Sequence, residues 1–422
     1  MAEINEYFKD KYEEEFEESS SVSDSLAADT GFDKKESKII DTKEEFERKL
    51  RRHRRLNFYR VLIAVAIVLI VVVAAYFNYQ SMVYSDYDEV KKISYMESSN
   101  ARYIEFNGNV LRYSQDGASA FNISNDMIWN ETFEMQNPIA DTCGDYVALG
   151  DYMGTTIYVY NSEGLKGTID TSTPLRSFCV SGTGNVAVVL EEDEVTWVKL
   201  YNYNGTNIAS DRTTMAKSGY PVRIDISEDG ILLSISYLFV DSGVLSSSVA
   251  FYNFGAVGQN EIDNLVSGYS YSNTIVSYVA FMNSDTVFAV GDDRFVVYKG
   301  SQKPEVILEK EIDEEILSVY SNKEYVGLVY EDENGDNLYK MEVYNDEGNL
   351  VCVQGFDVDY TNITFYKDLM IIYNGEECEI YNTSGLKKYA GGFSDSIILL
   401  IPESKAKYLL VSGECMKEIK LN

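Results

Sequence analysis

Three observations in the sequence predict an all-β fold: an eight-bladed β-propeller of four-stranded antiparallel blades, preceded by one transmembrane α-helix. A Tyr-Asn turn signal recurs through residues 87–422 at steps of about 43 residues, which is the size of a blade. Short β-branched and aromatic runs surround each signal, four to a repeat. Ahead of the repeat, residues 61–77 form an uncharged run of Ala, Val, Ile and Leu closed by Tyr76 and Phe77. As a helix that run rises roughly 26 Å at about 1.5 Å per residue, near the hydrocarbon thickness of a bilayer. Its apolar surface has no polar face, which disfavours a buried soluble helix.

Residues 1–50 read as an acidic, mostly disordered cytoplasmic tail. Ile4, Tyr7, Phe8, Tyr12 and Phe16 fall at three- and four-residue steps among glutamates, so a helix there gathers them on one side. They are the candidate docking residues for a cytosolic partner; a charged, frayed terminus is the competing reading. Residues 19–25 are a serine-rich linker. Thr42-Lys43-Glu44-Glu45 has capping-box spacing and predicts a helix starting at Lys43. A basic juxtamembrane segment, 51–60, leads into the expected span at 61–79. Arg48, Lys49, Arg51, Arg52, Arg54, Arg55 and Arg60 precede the span, whereas Lys91 and Lys92 beyond it sit among acids. The expected protein is therefore single-pass in the cell membrane, with the N-terminus cytoplasmic and the C-terminal domain extracytoplasmic. No convincing cleavage site follows the span, so a signal anchor is expected rather than a signal peptide.

The formal net charge is −32. Residues 1–60 hold 16 acids and 13 Lys or Arg, so most of the excess lies in the exported part. That field repels nucleic acid and anionic polymers and suits a basic partner or cations; a solvated surface is the plainer reading. The five cysteines, Cys143, Cys179, Cys352, Cys378 and Cys415, all follow the span without CxxC spacing. Buried free thiols are favoured over a disulfide framework, with Cys378 and Cys415 the one pair considered.

Tyr160-Asn161-Ser162-Glu163-Gly164, Tyr201-Asn202-Tyr203-Asn204-Gly205, Tyr344-Asn345-Asp346-Glu347-Gly348 and Tyr381-Asn382-Thr383-Ser384-Gly385 are the full signals. Tyr252-Asn253-Phe254-Gly255 reads as a shortened copy and Tyr298-Lys299-Gly300 as a degenerate one. Phe121-Asn122 and Ile419-Lys420 are units that have lost the tyrosine. Asn and Gly suit a tight hairpin turn. Eight third strands follow, with seven blades as the fallback count. A β-sandwich and a parallel β-helix are disfavoured by the four-strand repeat. The eighth unit lacks a fourth strand, and residues 89–95 are expected to supply it and close the ring.

Residues 157–167, Ile-Tyr-Val-Tyr-Asn-Ser-Glu-Gly-Leu-Lys-Gly, resemble the third-strand, turn and fourth-strand unit of quinoprotein-like and WD40-like propellers. The chain as a whole resembles an uncharacterised family of clostridial single-pass membrane proteins, domain of unknown function 5711. The resemblance implies a propeller ectodomain in a Gram-positive envelope and no established activity. Quinoprotein dehydrogenases carry a Trp signature in each blade, whereas this chain has only Trp129 and Trp197. It is more similar to the noncatalytic scaffold members, and no cofactor is implied.

The only histidine, His53, precedes the span, so the exported domain has no Ser-His-Asp or Cys-His arrangement and no His-ligated metal. Carboxylate catalysis needs no histidine, and acids around the central channel would favour it. Asp332, Asn334 and Asp336 are weak calcium candidates, with an acidic hairpin turn the competing reading. The expected function is a noncatalytic protein-interaction scaffold or ligand-binding module; the alternatives are a glycan-active enzyme and a transmembrane sensor. Long segments at 212–220, 238–245, 264–273 and 332–337 are assigned to one end of the propeller, and the short Gly turns to the end nearer the membrane. The candidate partner patch on the long-loop end is Tyr220, Phe239, Tyr269 and Tyr271.

Overall fold

A computed structural model describes residues 32–94, 100–124, 126–192, 195–213, 218–333 and 335–422. It divides into two units, Met1–Ser81 and Met82–Asn422. The candidate docking residues Ile4, Tyr7, Phe8, Tyr12 and Phe16 lie outside the described residues.

In the first unit, α1 spans Phe32–Ser81. It begins well before Lys43, so Thr42 is an interior residue rather than a cap. Lys34, Lys35, Glu36 and Lys38 are good helix formers, and their propensity carries the helix through a threonine whose interior cost is only a few tenths of a kcal/mol. Within α1, Arg55–Ala75 has a mean hydropathy of 2.8 and none of its residues is buried. It is long and apolar enough to cross a membrane.

The second unit is eight four-stranded antiparallel sheets, each a consecutive meander except the last. Blade 3 is typical: Leu175–Val180, Val186–Glu192, Val195–Tyr201 and Asn207–Thr213. Its second strand is buried from Val186 to Leu190 because both faces of the sheet are covered by neighbouring blades. Ala148, Ile157, Val159 and Ile169 of blade 2 form one such cover, packed on Leu175, Phe178, Val180 and Val188 of blade 3.

Blade 8 combines Leu399–Pro402, Lys407–Val411 and Cys415–Leu421 with Tyr87–Ser94 from the other end of the unit. The closing strand starts two residues earlier than expected and pairs from Tyr87–Leu421 to Ser94–Cys415, with a one-residue shift between Glu89 and Lys91. The backbone extends the zipper: Ser85 N–H donates to the Asn422 carbonyl at 2.9 Å, and Asn422 N–H donates to Asp86 at 2.9 Å. Tyr87 enters beside the end of the third strand, at the end of the propeller that carries the third-to-fourth-strand turns.

The recurring tyrosines share one position and one role. At each of Tyr160, Tyr201, Tyr252, Tyr298, Tyr344 and Tyr381, the pairing of third and fourth strands shifts by one residue. The same shift occurs at Phe121 and opposite Ile419, the two units without the tyrosine. A β-bulge adds local twist and turns the end of the strand. Every one of these six tyrosines is buried, and each packs against the preceding blade. Tyr160, for example, stacks on Trp129 with ring centroids 4.6 Å apart. Except after Tyr298, which Lys299 follows, the next residue is an asparagine that caps the turn: Asn202 Oδ1 accepts the N–H of Asn204 and Thr206, both at 3.1 Å.

Three segments depart from expectation. Residues 238–245 are not a loop, because Leu232–Asp241 and Val244–Asn253 run on as one long hairpin around a Ser242-Gly243 turn. Residues 264–273 are mostly the fourth strand of blade 4, Leu265–Tyr271. The supposedly shortened signal at Tyr252-Asn253-Phe254-Gly255 opens instead into an excursion over residues 254–264, with two 3-10 turns at Gly258–Asn260 and Ile262–Asn264. The periodic signal was present there, but Gly255 does not close the turn.

Ring closure places one charge inside blade 8. The Lys417 side chain is only 4% exposed and donates to Glu89 Oε1 at 2.6 Å and Ser394 Oγ at 2.7 Å, with Asp395 as a second carboxylate partner. The hydrogen bonds from Lys417 and Ser394 hold both carboxyls below their ordinary range. Such groups stabilise the fold above the unfolded carboxylate pKa and lose that contribution as pH falls through their folded values. Lys417→Ala is expected to destabilise the propeller by about 2 kcal/mol at pH 7, where it strands a carboxylate pair. Urea unfolding should show that penalty shrinking below about pH 4; a penalty unchanged at acid pH would contradict the assignment.

Candidate functional site

The expected aromatic patch lies in blade 4. Tyr220 opens the first strand, Tyr220–Ile226, and Phe239 faces Ser246 in the long hairpin. Both keep part of their surface in solvent. Tyr269 is half-buried and donates its hydroxyl to the Pro304 carbonyl at 3.0 Å. Tyr271 is buried, its hydroxyl hydrogen-bonded to that of Tyr298 at 2.6 Å. The expectation that all four form a surface is therefore corrected for Tyr271. Because 265–271 is a strand, alternation turns Tyr269 and Tyr271 together toward blade 5, where a loop would have left them free.

Of the calcium candidates, Asn334 lies outside the described residues. Asp332 starts a turn that its N–H closes on the Leu338 carbonyl at 3.1 Å, and Leu338 N–H donates to Asp357. No group of three or more Cys, His, Asp or Glu is placed to hold a metal among the described residues. All five cysteines are free, so Cys378 and Cys415 do not pair. Burial pushes the Cys143 thiol up to about 12 and raises Cys179 and Cys378 well above the ordinary range. These thiols stay protonated and are poor nucleophiles.

The first strands of neighbouring blades contact one another and so form the inner wall of the ring. On that wall, Asp141 of Pro138–Cys143 in blade 2 accepts the Val180 N–H of blade 3 at 2.7 Å. Asp225 of blade 4 accepts the Phe281 N–H of blade 5 at 2.6 Å and the Ile226 N–H at 3.0 Å. Arg223, two residues before Asp225, lies over the Tyr278 ring with its Cζ 5.1 Å from the centroid. Burial pushes Asp141 up to about 6. It pushes Asp225 up to about 7, the Asp141 charge adding to the rise and Arg223 opposing it. This pair was not singled out from the sequence, where two acids among so many carry no signal.

Beside the pair, the first-to-second-strand turns converge. Gly182 of blade 3 lies so close to Glu228 of blade 4 that a Cβ would stand 2.9 Å from the Glu228 carbonyl oxygen. Lys323 of blade 6 reaches the same glutamate, Nζ to Oε1 at 2.6 Å.

The architecture defines the class: an eight-bladed β-propeller in a chain whose N-terminal helix is apolar enough to cross a membrane. Over residues 79–421 the sequence matches the family of unknown function DUF5711, and the chain belongs to that family. A comparison with curated proteins finds no match. Among solved structures, Sqt1 from Chaetomium thermophilum is similar at 13% identity and a TM-score of 0.50, over 79% of this chain and 98% of that one. BamB from Moraxella catarrhalis is similar at 10% identity and a TM-score of 0.46, over 80% and 100% of the two chains. Hsv2p from Kluyveromyces lactis is similar at 11% identity and 0.46, over 70% and 98%. At these identities the likeness concerns the fold alone.

The inner-wall acids make a prediction opposite in sign to that for Lys417. Both keep their protons to higher pH in the folded chain than an ordinary aspartate does, so the folded state binds more protons between about pH 4 and 7. Their contribution is present at acid pH and is lost as pH rises through that window. Asp225→Asn carries no charge but keeps only one acceptor oxygen, so one of the Phe281 and Ile226 N–H groups loses its partner at every pH. Relative to the unchanged protein it should be more stable at pH 8 than at pH 4 by on the order of 2 kcal/mol. Equal urea midpoint shifts at the two pH values would refute this.

Proposed function

We propose that this protein is a membrane-anchored, noncatalytic propeller that serves as a protein-interaction scaffold on the extracytoplasmic side. The observation that carries the reading is the use made of the inner-wall acids. Asp141 and Asp225 each accept a backbone N–H from the next blade, so both are engaged in holding the ring together. Rigid blades with irregular connections are the arrangement in which binding resides on loops. The basic residues ahead of Arg55–Ala75 support an N-terminus in the cytoplasm. The tail residues Ile4, Tyr7, Phe8, Tyr12 and Phe16 are proposed to dock a cytosolic partner, and Tyr220 with Phe239 to contribute to an outer one. Crosslinking in intact cells followed by purification of the full chain should return specific proteins. Deleting residues 1–50 should remove only those of the cytosolic side, and a preparation with no specific partner would sink the scaffold reading.

One observation favours a second reading, a carboxylate-based glycan-active enzyme. Asp225 near 7 and Asp141 near 6 are suited to proton transfer at neutral pH. That reading requires turnover of a cell-wall glycan that disappears in Asp225→Asn; an inert wild-type protein across a panel of such glycans would end it.

A further inference from the structure

Seven arginines and lysines crowd residues 48–60 of α1: Arg48, Lys49, Arg51, Arg52, Arg54, Arg55 and Arg60. The helix runs unbroken from Phe32 to Ser81, so these positions share one rod with the apolar window at Arg55–Ala75 and do not sit on a loop. Glu44, Glu45 and Glu47 stand four residues ahead of Arg48, Lys49 and Arg51, the order and spacing that suit ion pairs along a helix. No acid then occurs between Glu47 and Asp86. Arg52, Arg54, Arg55 and Arg60 therefore have no acid at helical spacing. Arg52, Arg55 and Arg60 are exposed, and no carboxylate among the described residues pairs with them.

The arrangement of these charges selects what they bind. At about 100° per residue, positions 52, 54, 55 and 60 fall at about 0°, 200°, 300° and 80° around the helix, and positions 48, 49 and 51 fill the arcs between them. No face wider than about 120° is left without a cation. A helix that docks on a protein gathers its contacts on one side, whereas a collar of charge suits a medium that surrounds it. Along the axis, Arg52 to Arg60 covers about 12 Å at about 1.5 Å per residue. That reaches through a headgroup layer of about 6 Å and most of a Debye length of about 8 Å beyond it. Phe58 and Tyr59 are exposed within the collar, where aromatic rings mark a membrane–water boundary. The other end of the apolar window carries no counterpart: Met82 and Val83 follow the helix, and Asp86, Asp88 and Glu89 precede the first lysines.

We propose that residues 48–60 form a collar that binds the anionic phospholipid headgroups of the leaflet it crosses, so that the helix gathers such lipids around itself. Arginine suits the task because its planar fork engages phosphate oxygens in pairs and stays charged at every physiological pH. A chain with a net charge of −32 is repelled as a whole by an anionic surface, and the collar confines the attraction to a layer within a Debye length of the bilayer. The site rests on the membrane-anchored part of the proposed function and involves neither the propeller nor its candidate partner residues.

The test uses the full chain in nanodiscs of phosphatidylcholine and phosphatidylglycerol, with one of the two lipids brominated so that it quenches a nearby tryptophan. Phe58→Trp places the reporter at the collar and Asn78→Trp places one at the opposite flank; the signal of Trp129 and Trp197 is subtracted with the unchanged protein. At about 50 mM salt, Trp fluorescence at position 58 should report phosphatidylglycerol bound at least about threefold more tightly than phosphatidylcholine, and at about 1 M salt the two should approach equality. Position 78 should show no preference. Joint replacement Arg52→Gln, Arg54→Gln and Arg55→Gln should abolish the selectivity, while Arg→Lys at the same three positions should keep most of it. Equal quenching by the two lipids, the result expected if the basic segment served an acidic protein instead, overturns the collar. So does a preference that survives the glutamine replacements or appears equally at position 78. If neither brominated lipid quenches position 58, the helix does not cross the bilayer, and the membrane-anchored reading falls together with the collar. Quenching by both lipids to the same extent leaves the anchor standing and removes the collar alone.

Discussion

The pairing of Tyr87–Ser94 with Cys415–Leu421 is the contact on which the ring depends. Each of the other seven blades is a local meander whose strands are consecutive in sequence. The eighth would expose an unpaired third strand without the segment borrowed from the opposite end, and an exposed edge is a template for association with other chains. Closure also gives blade 1 a neighbour: Val110 packs with Ile401, Leu409, Val411 and Met416 in a cluster that spans the join. A buried ammonium at Lys417 then ties the borrowed strand to the loop before blade 8's first strand through Glu89 and Asp395. Apolar packing supplies the area, and the ion pair adds a directional requirement that favours this register over a slipped one.

Around the rest of the ring the same solution repeats. A bulge turns the end of the third strand, a large side chain at the bulge fills the gap to the preceding blade, and, in all blades but 5 and 8, an asparagine follows at the turn. Tyrosine serves because its ring supplies area while its hydroxyl reaches a polar partner, as Tyr381 reaches Glu379 at 2.8 Å. Blade 4 shows what happens when the turn is released from the pattern. Tyr252 is still buried and still hydrogen-bonded, to Tyr237 at 3.0 Å, so the packing survives while the connection is free to diverge.

Most of this architecture was legible from spacing alone, because blades are written in local signals. The tyrosine positions, the two units that lack it, the count of eight and the borrowed strand all follow from period and turn chemistry. The helix start did not, since Thr42 satisfies a capping pattern that good helix formers override. Loop assignments failed in blade 4 for a related reason: Leu238, Phe239 and Val240 continue an apolar run, and nothing local says where a hairpin must end. The inner-wall pair was hidden for another cause. Asp141 and Asp225 are 84 positions apart and become neighbours in charge only through the curvature of the ring. The excursion at 254–264 was mistaken for a short turn because Gly255 stands near where a closing glycine would.

The borrowed strand also dictates the order in which the ring can form. Residues 87 and 421 are about 330 positions apart, and joining ends that distant costs about 5 kcal/mol of chain entropy by a simple loop estimate. That cost falls away only once the intervening blades are folded and hold the two ends near each other. Closure is therefore the last step rather than the nucleus. Until it happens, the facing flanks of blades 1 and 8 remain wet, and Cys415–Leu421 has no outer neighbour. Any partly synthesised or truncated chain would pass through that open arc, and its vulnerability to proteases and to association would be concentrated at a single seam.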